Sequence, residues 1–422
     1  MTEDKKKNIF IIGQGAAASA LAKKLKQNAE IGQIYITYGN SVISEDFKNI
    51  DIREDDLTGL LKFALEAEID LTIPISKKTL RADVVSFFQS NGQNIFGPAK
   101  EACNIAINNG AGKKFLYKIH AQTSKFGIFD KIQQAEDFLK SANYPVTIKC
   151  REYSDITKDR LVCPTISLAS EYLSTLFSKN ETDILIEEFT FGRNFTIYFV
   201  TDGYSAVPLT SVANYKFTQD GDGGVSTNGI GCFAPDYKIS DVVIQRVENI
   251  VRNTLVSLEK KGEPYVGILG LECILTGEDK FFVSEFKPFL QEHDAATVLN
   301  MCEDNLLEIF TACVNGLFAD EYETIKMNGL SSVSAVVLSR LADKEIKGLD
   351  AIDDIENINY INALKKDNRI FTTNKGAVFT LTRSASTLSR AKEYLYDDLS
   401  QIDFEGIKYR KDIAEINPNL LY

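Results

Sequence analysis

The first hundred residues constrain the fold most, because apolar strand-like runs alternate there with helix-like runs at a spacing suited to crossover connections. Strands are predicted at 8–12, 33–37, 70–74 and 94–96, and helices at 16–25, 57–67 and 81–89. That order implies βαβ units and a parallel, doubly wound sheet. Gly97-Pro98 closes the unit, since proline pushes the residue before it to an extended shape.

Beyond residue 111 the rhythm changes. A helix at 113–120, a β-rich stretch at 146–163, a helix at 167–177 and a strand at 183–189 read as a compact α+β unit. Strands at 194–201 and 206–209 follow, then a polar glycine-rich loop over 219–231. The helix predicted at 240–260 carries Val243, Ile250, Val251, Leu255 and Leu258 at helical period, which is core packing. The runs 265–275 and 281–286 flank T-G-E-D-K, a hairpin signal. A single helix is expected at 296–317, then strands at 332–338, 369–372 and 377–382 and a helix at 386–399. The fold class is α/β and α+β, in several domains.

A chain of 422 residues accommodates two to four domains of roughly 100–200 residues. The net charge of −12, from 47 basic and 59 acidic residues, argues against nucleic acid as a partner. Small phosphorylated ligands stay open, because a few lysines in a cleft dominate within a screening length of ~8–10 Å. The seven cysteines show no zinc-ligand spacing and read as reduced, buried thiols. No stretch approaches the roughly 20 apolar residues of a membrane helix. A cytoplasmic monomer without a membrane partner is the expectation.

The hairpin is the most informative place. With its loop centred on Glu278-Asp279, Glu272 falls opposite Glu285, and Lys287 returns to the same face. Opposed like charges destabilise a sheet unless a cation lies between them. The pattern therefore suggests a magnesium site or a lysine-neutralised remnant of one; a solvated face with splayed glutamates is the bland alternative. Lys149, in the apolar run Y-P-V-T-I-K-C, needs a partner because unpaired burial of an ammonium is unfavourable. A phosphate would serve, or the lysine snorkels to solvent.

Weaker signals accompany these. Gly110-Ala-Gly-Lys113-Lys114 before a helix could offer donors to an anion, but it is not a P-loop. Gly13-Gln14-Gly15 lacks the third glycine and the acidic residue of a dinucleotide fingerprint, so tight helix–sheet packing is the simpler reading. Asp220 to Gly231 could be a mobile backbone cradle for a ligand, or merely a flexible surface loop. His120 and His293 have no nucleophile elbow beside them.

Taken together the chain resembles the glycinamide ribonucleotide synthetase (phosphoribosylamine–glycine ligase) family of ATP-grasp enzymes over essentially its whole length. The stretches that carry the likeness are IDLTIPI (69–75), IFGPAKEA (95–102), PVTIK (145–149), LIEEF-x-x-G (185–192), DGDGGVSTNGIGCFAP (220–235), VSEF (283–286) and YRKDI (409–413). The resemblance implies an ATP-grasp fold in four parts. These are an N-terminal parallel, Rossmann-like domain (1–102), a central ATP-grasp domain (103–123 and 190–325), a lid (124–189) and a C-terminal α+β cap (326–422).

It also implies a C–N bond-forming ligase of purine biosynthesis, working through an acyl phosphate with ATP and magnesium. The small-molecule partners would be a nucleotide, an amino acid and a phosphoribosyl amine. Lys113 and Lys149 would hold nucleotide phosphates, with Lys149 and Lys287 stabilising transfer. Glu187, Glu188, Phe189, Thr190 and Asn194 would surround the base, and Glu272 and Glu285 would hold the metal. Gly13, Gly15, Asp220, Asp222, Ser226, Thr227, Asn228 and Gly229 would face the acceptor substrates.

The chain departs from the family pattern at several of these places. Ala16-Ala17-Ala18-Ser19 stands where the family has G-G-R-E-H, and the segment 149–159 has no glycine where the family's lid loop has several. Its E-F-N-x-R motif reads Glu285-Phe-Lys287-Pro-Phe289. Two functions therefore follow: a ligase, of the family's reaction or with a changed acceptor, or a catalytically degenerate nucleotide- or metabolite-binding protein on the same scaffold.

Overall fold

A computed structural model describes residues 5–37, 42, 47–150, 160–352 and 355–415. Its N-terminal sheet is parallel in the order β3-β2-β1-β4, formed by β1 (Lys7–Ile12), β2 (Ile31–Thr37), β3 (Phe47–Ile50) and β4 (Leu71–Pro74). Both faces are covered. Ile9 and Ile11 pack with Ala18, Leu21 and Leu25 of helix α1 (Gly15–Lys26), while Phe10 and Ile12 pack with Leu60, Val84 and Phe88. This explains why β1 reads as a continuous apolar run rather than an alternating one.

The segment expected to be the lid, and called so below, forms an antiparallel sheet in the order β5-β8-β6-β7, from β5 (Phe126–Phe129), β6 (Val146–Lys149), β7 (Arg160–Cys163) and β8 (Ile184–Glu188). Helices Ile132–Ser141 and Ile166–Ser178 cover one face, burying Leu139, Leu173 and Leu176 against Ile148 and Ile186. Alternate positions of β6 and β8 therefore point the other way.

The central sheet runs β13-β12-β9-β10-β11, from β9 (Arg193–Asp202), β10 (Ala206–Gln219), β11 (Gly223–Ala234), β12 (Val266–Gly277) and β13 (Lys280–Lys287). It continues without a break into β14 (Ser331–Ser339), which pairs with β11, and on through strands Gly376–Ala385 and Ile358–Tyr360. Helix Asp241–Glu259 packs Val243, Val247, Val251, Leu255 and Leu258 beneath β9 and β12. Among the described residues no helix is long and apolar enough to cross a membrane.

Several local expectations are corrected. The helix predicted at 81–89 breaks at Asp83, whose φ of 63° is left-handed, giving helices Lys77–Arg81 and Val84–Ser90. The helix expected at 296–317 is two, Ala295–Met301 and Leu306–Asn315. Asn305 starts the second by accepting a hydrogen bond from the Leu307 backbone N–H. Gly110 to Lys114 lies within the first turns of helix Asn109–Lys118 rather than before it, and Asn108 takes the Ala111 N–H with its side chain and the Gly112 N–H with its carbonyl.

The stretch 219–231 is not a coil. It is the tip of the β10–β11 hairpin, with a single 3₁₀ turn at Asp220–Asp222 and then β11 itself. The C-terminal domain fastens this tip. Arg410, 1% exposed, donates to the Phe217 carbonyl at 3.0 Å and to Asp222 at 2.7 Å, and pairs with Asp412 at 2.6 Å. Its guanidinium lies 4.8 Å from the Tyr215 ring centroid. Arg410→Ala is expected to lower stability by about 2–3 kcal/mol, as loss of charged hydrogen bonds does. Chemical denaturation measures this, and an unchanged midpoint would contradict the tether.

Candidate functional site

The register of β12 against β13 sets the site. Glu272 is opposite Glu285 and Gly270 opposite Lys287, as the hairpin reading required. Two register shifts lie between this pair and the turn, one next to Thr276 and one next to Ser284, and their offsets cancel. Lys287 Nζ lies 2.5 Å from Glu285 Oε1 and 3.1 Å from Glu272 Oε2, so an ammonium sits between the opposed carboxylates. Glu272 and Lys287 are buried, which removes the solvated-face alternative.

The lid closes onto this pair. Lys149, at the end of β6, donates to Glu187 of β8 at 2.8 Å and reaches Glu285 at 3.5 Å. Glu187 also binds Lys113 at 2.8 Å, and Lys113 donates to Thr123 Oγ1 at 2.6 Å. Arg160, the first residue of β7, spans from lid to central sheet, meeting Glu285 at 3.1 Å and Asn228 Oδ1 at 2.6 Å. Lys216 of β10 completes the group at 2.6 Å from Glu272 and 2.9 Å from the Asn228 carbonyl. Thus Glu187, Glu272 and Glu285 face Lys113, Lys149, Arg160, Lys216 and Lys287. Among the described residues, cations outnumber carboxylates.

Arg160 and Lys216 were not among the residues singled out from the sequence. Lys216 carried the same signal as Lys149, a lone ammonium in an apolar strand (A-N-Y-K-F). Arg160 carried none, because the glycine-free segment before it hides where the strand begins. Residues 151–159 lie outside the described residues.

Burial alone would raise the carboxylate pKa values, but the cations prevail. Glu187 is lowered to about 2 by Lys113 and Lys149, and Glu272 to about 2 by Lys216 and Lys287. Burial likewise opposes the charge on Lys149, yet Glu187 and Glu285 hold its pKa above the ordinary lysine value. For Lys216 burial wins, and its pKa falls to about 8. The seam encloses a cavity of about 50 Å³ between Thr147, Lys149, Glu187, Phe189, Ser226 and Glu272. A drug-sized ligand needs roughly 300 Å³ or more, so the cavity is too small for one while the two sheets stay this close.

The remaining sequence-predicted residues divide. Thr190 shares a 2.8 Å hydrogen bond with Ser124, and Asn194 lines the same cavity. The Glu188 side chain turns away to Asn143 and Lys125, and its backbone N–H donates to the Lys125 carbonyl. The Phe189 N–H donates to the Pro145 carbonyl. Ser226 lines the cavity, and Thr227 donates to the Lys216 carbonyl at 2.8 Å. Gly229, with φ 148°, lies against the His293 ring, where a Cβ would come within 2.3 Å. Asp220 and Asp222 are not in this group. Asp220 accepts from the Lys411 N–H and Asp222 from Arg410.

Gly13 and Gly15 lie at the start of α1, where the buried Glu292, next in the chain to the His293 that packs on Gly229, accepts from the Ala17 N–H at 3.0 Å. A Cβ on Gly15 would meet that carboxylate at 2.5 Å. Burial lifts Glu292 to about 7, and Asp294, hydrogen-bonded by Tyr198 at 2.7 Å, also to about 7. Neither residue had a signal in the sequence.

The donor set does not fit a magnesium ion as it stands. Lys287 fills the space between Glu272 and Glu285, and Lys216, Arg160 and Lys149 take up further carboxylate oxygens. Among the described residues no group of three or more His, Cys, Asp or Glu side chains could hold a metal ion.

A lid sheet closing over an antiparallel sheet, with an N-terminal parallel domain beside it, defines the ATP-grasp fold. The solved phosphoribosylamine–glycine ligase of Thermotoga maritima superposes with a TM-score of 0.80 at 22% identity, covering 96% of this chain and 100% of that one. The biotin carboxylase domain of Hydrogenobacter thermophilus 2-oxoglutarate carboxylase, solved with MgADP, gives 0.70 at 14% identity, covering 99% and 94%.

Residues 7–106 match the N domain of phosphoribosylglycinamide synthetase, 110–291 its ATP-grasp (A) domain and 339–416 its C domain. The chain belongs to the phosphoribosylglycinamide synthetase family. Curated relatives include the phosphoribosylamine–glycine ligases of Clostridium acetobutylicum, 26% identical, and Caldanaerobacter subterraneus subsp. tengcongensis, 28% identical. Each alignment covers 96% of this chain and 99% of the relative.

Since Glu187 titrates near 2 in the folded protein against an ordinary 4.5, its stabilisation is complete above pH 4.5 and lost as pH falls through 2. Glu187→Gln is therefore expected to be less stable than wild type at neutral pH, with the gap closing as pH drops through that window. Urea denaturation across pH measures it, and a gap independent of pH would contradict the ion pairing.

Proposed function

We propose that this chain is an ATP-dependent carboxylate–amine ligase that joins glycine to phosphoribosylamine in purine biosynthesis. The observation that carries the reading is the convergence of Lys113, Lys149 and Arg160 on Glu187 and Glu285 where the lid meets the central sheet. Family membership along nearly the whole chain supports the same reaction.

In this reading the lid opens, and the nucleotide phosphates take over the cations that now bind Glu187 and Glu285. The glycine carboxylate oxygen attacks the γ-phosphorus, and the β–γ bridging oxygen leaves with ADP. The phosphoribosylamine nitrogen then attacks the carbonyl of the acyl phosphate, forming the amide and releasing phosphate and a proton. Lys149 is the main stabiliser, because charge developing on the transferred group meets an ammonium that is already buried and oriented. Arg160 and Asn228 tie the closed lid to the central sheet and exclude water from the acyl phosphate.

One observation favours a second reading, in which the protein binds a nucleotide without turnover. Lys287 and Phe289 replace the asparagine and arginine of the family motif. A single assay separates the two. With ATP, glycine and phosphoribosylamine, wild type should release ADP and phosphate, and Lys149→Ala should lose about 10²–10³-fold in kcat/KM. Nucleotide binding without ADP formation above the variant's background would sink the ligase reading and leave the second.

A further inference from the structure

We infer that the cleft takes its nucleotide as the metal-free polyanion, with the Lys287 ammonium standing where a bridging divalent ion would otherwise be held. The inference rests on the nucleotide reading above and concerns the form in which that nucleotide binds. Its first support is position. Lys287 Nζ makes contacts of 2.5 and 3.1 Å to carboxylates that face each other across one strand pair, which is the place two anionic ligands would offer to a cation.

The second support is that the lysine is held there. Its stem crosses Gly270, where an added Cβ would lie 2.9 Å from Lys287 Cβ and 2.6 Å from the Tyr198 ring. Lys287 is 3% exposed, so leaving the carboxylates would not return its ammonium to water. Divalent magnesium asks for near-octahedral oxygen ligation and retains several waters. To bind here it would have to expel Lys287 while Lys216, Arg160 and Lys149 stay close by as like charges.

With the Lys287 ammonium already between Glu272 and Glu285, the nucleotide needs no divalent ion to bridge it to those carboxylates. Magnesium in solution should then compete with the protein for the triphosphate rather than assist it.

Calorimetric titration of the full chain with ATP, in EDTA and in excess magnesium chloride, reads this directly. Wild type is expected to bind as tightly or more tightly in EDTA, and Lys287→Asn to gain about tenfold or more from magnesium. Wild-type binding improved about tenfold by magnesium would overturn the inference while leaving the nucleotide reading intact. A Lys287→Asn protein that binds ATP with no response to magnesium would overturn the role given to that ammonium. No binding by wild type under either condition would overturn the nucleotide reading and the inference with it. Should the variant fail to fold, electron paramagnetic resonance of manganese with wild type and ATP decides. Manganese immobilised by protein and ATP together beyond its complex with ATP alone contradicts the inference, and a rise in free manganese as the protein draws ATP out of its manganese complex supports it.

Discussion

Two glutamates set opposite each other in an antiparallel pair repel, and this is the constraint on which the rest of the site depends. Glu272 and Glu285 can share a face of β12–β13 only with positive charge between and around them. Lys287 supplies it from the same strand as Glu285, Lys216 from two strands away, and Arg160 and Lys149 from the lid. The pair's electrostatic requirement and the closing of the lid are therefore one interaction. Removing a carboxylate would loosen the lid, and removing a lid cation would leave a buried negative charge.

Glu187 extends the same logic to the other edge of the cleft. It lies on the lid yet bridges a lid lysine, Lys149, to Lys113 on a helix outside the lid. Three carboxylates thus hold cations in place that would otherwise repel one another. A phosphate chain can replace those carboxylates as counter-charge without the cations having to move far. In the proposed function, this exchange is what would let a closed seam with a cavity of about 50 Å³ open to a nucleotide.

Much of this was legible in the sequence, though not evenly. The parallel N-terminal sheet follows from alternation and length, because fully buried strands leave long apolar runs that a few turns punctuate. The Glu272–Glu285 pair came from counting back from a turn, and the count survives because the irregularities next to Thr276 and Ser284 offset one another. One bulge alone would have moved every residue of the pair to the other face. The expectation of a loop at 220–231 fails for the opposite reason. Its glycines suggest freedom, whereas strand pairing with β10 and a guanidinium nearly two hundred residues away fix the segment. Tertiary ties of that kind leave no local trace.

Lys113 shows the same limit on a smaller scale. Its importance was read from the wrong geometry, a helix start that lies inside the helix, yet its side chain reaches the cleft through the helix face it shares with Gly110. What we propose for the bound state is an ammonium, not a metal, between Glu272 and Glu285. Crystals grown with ATP and manganese, measured at the manganese absorption edge, test it most directly. Phosphates are expected against Lys113 and Lys149, with Lys287 between the two carboxylates and no anomalous peak there. A manganese peak bridging Glu272 and Glu285, with Lys287 displaced, would contradict it.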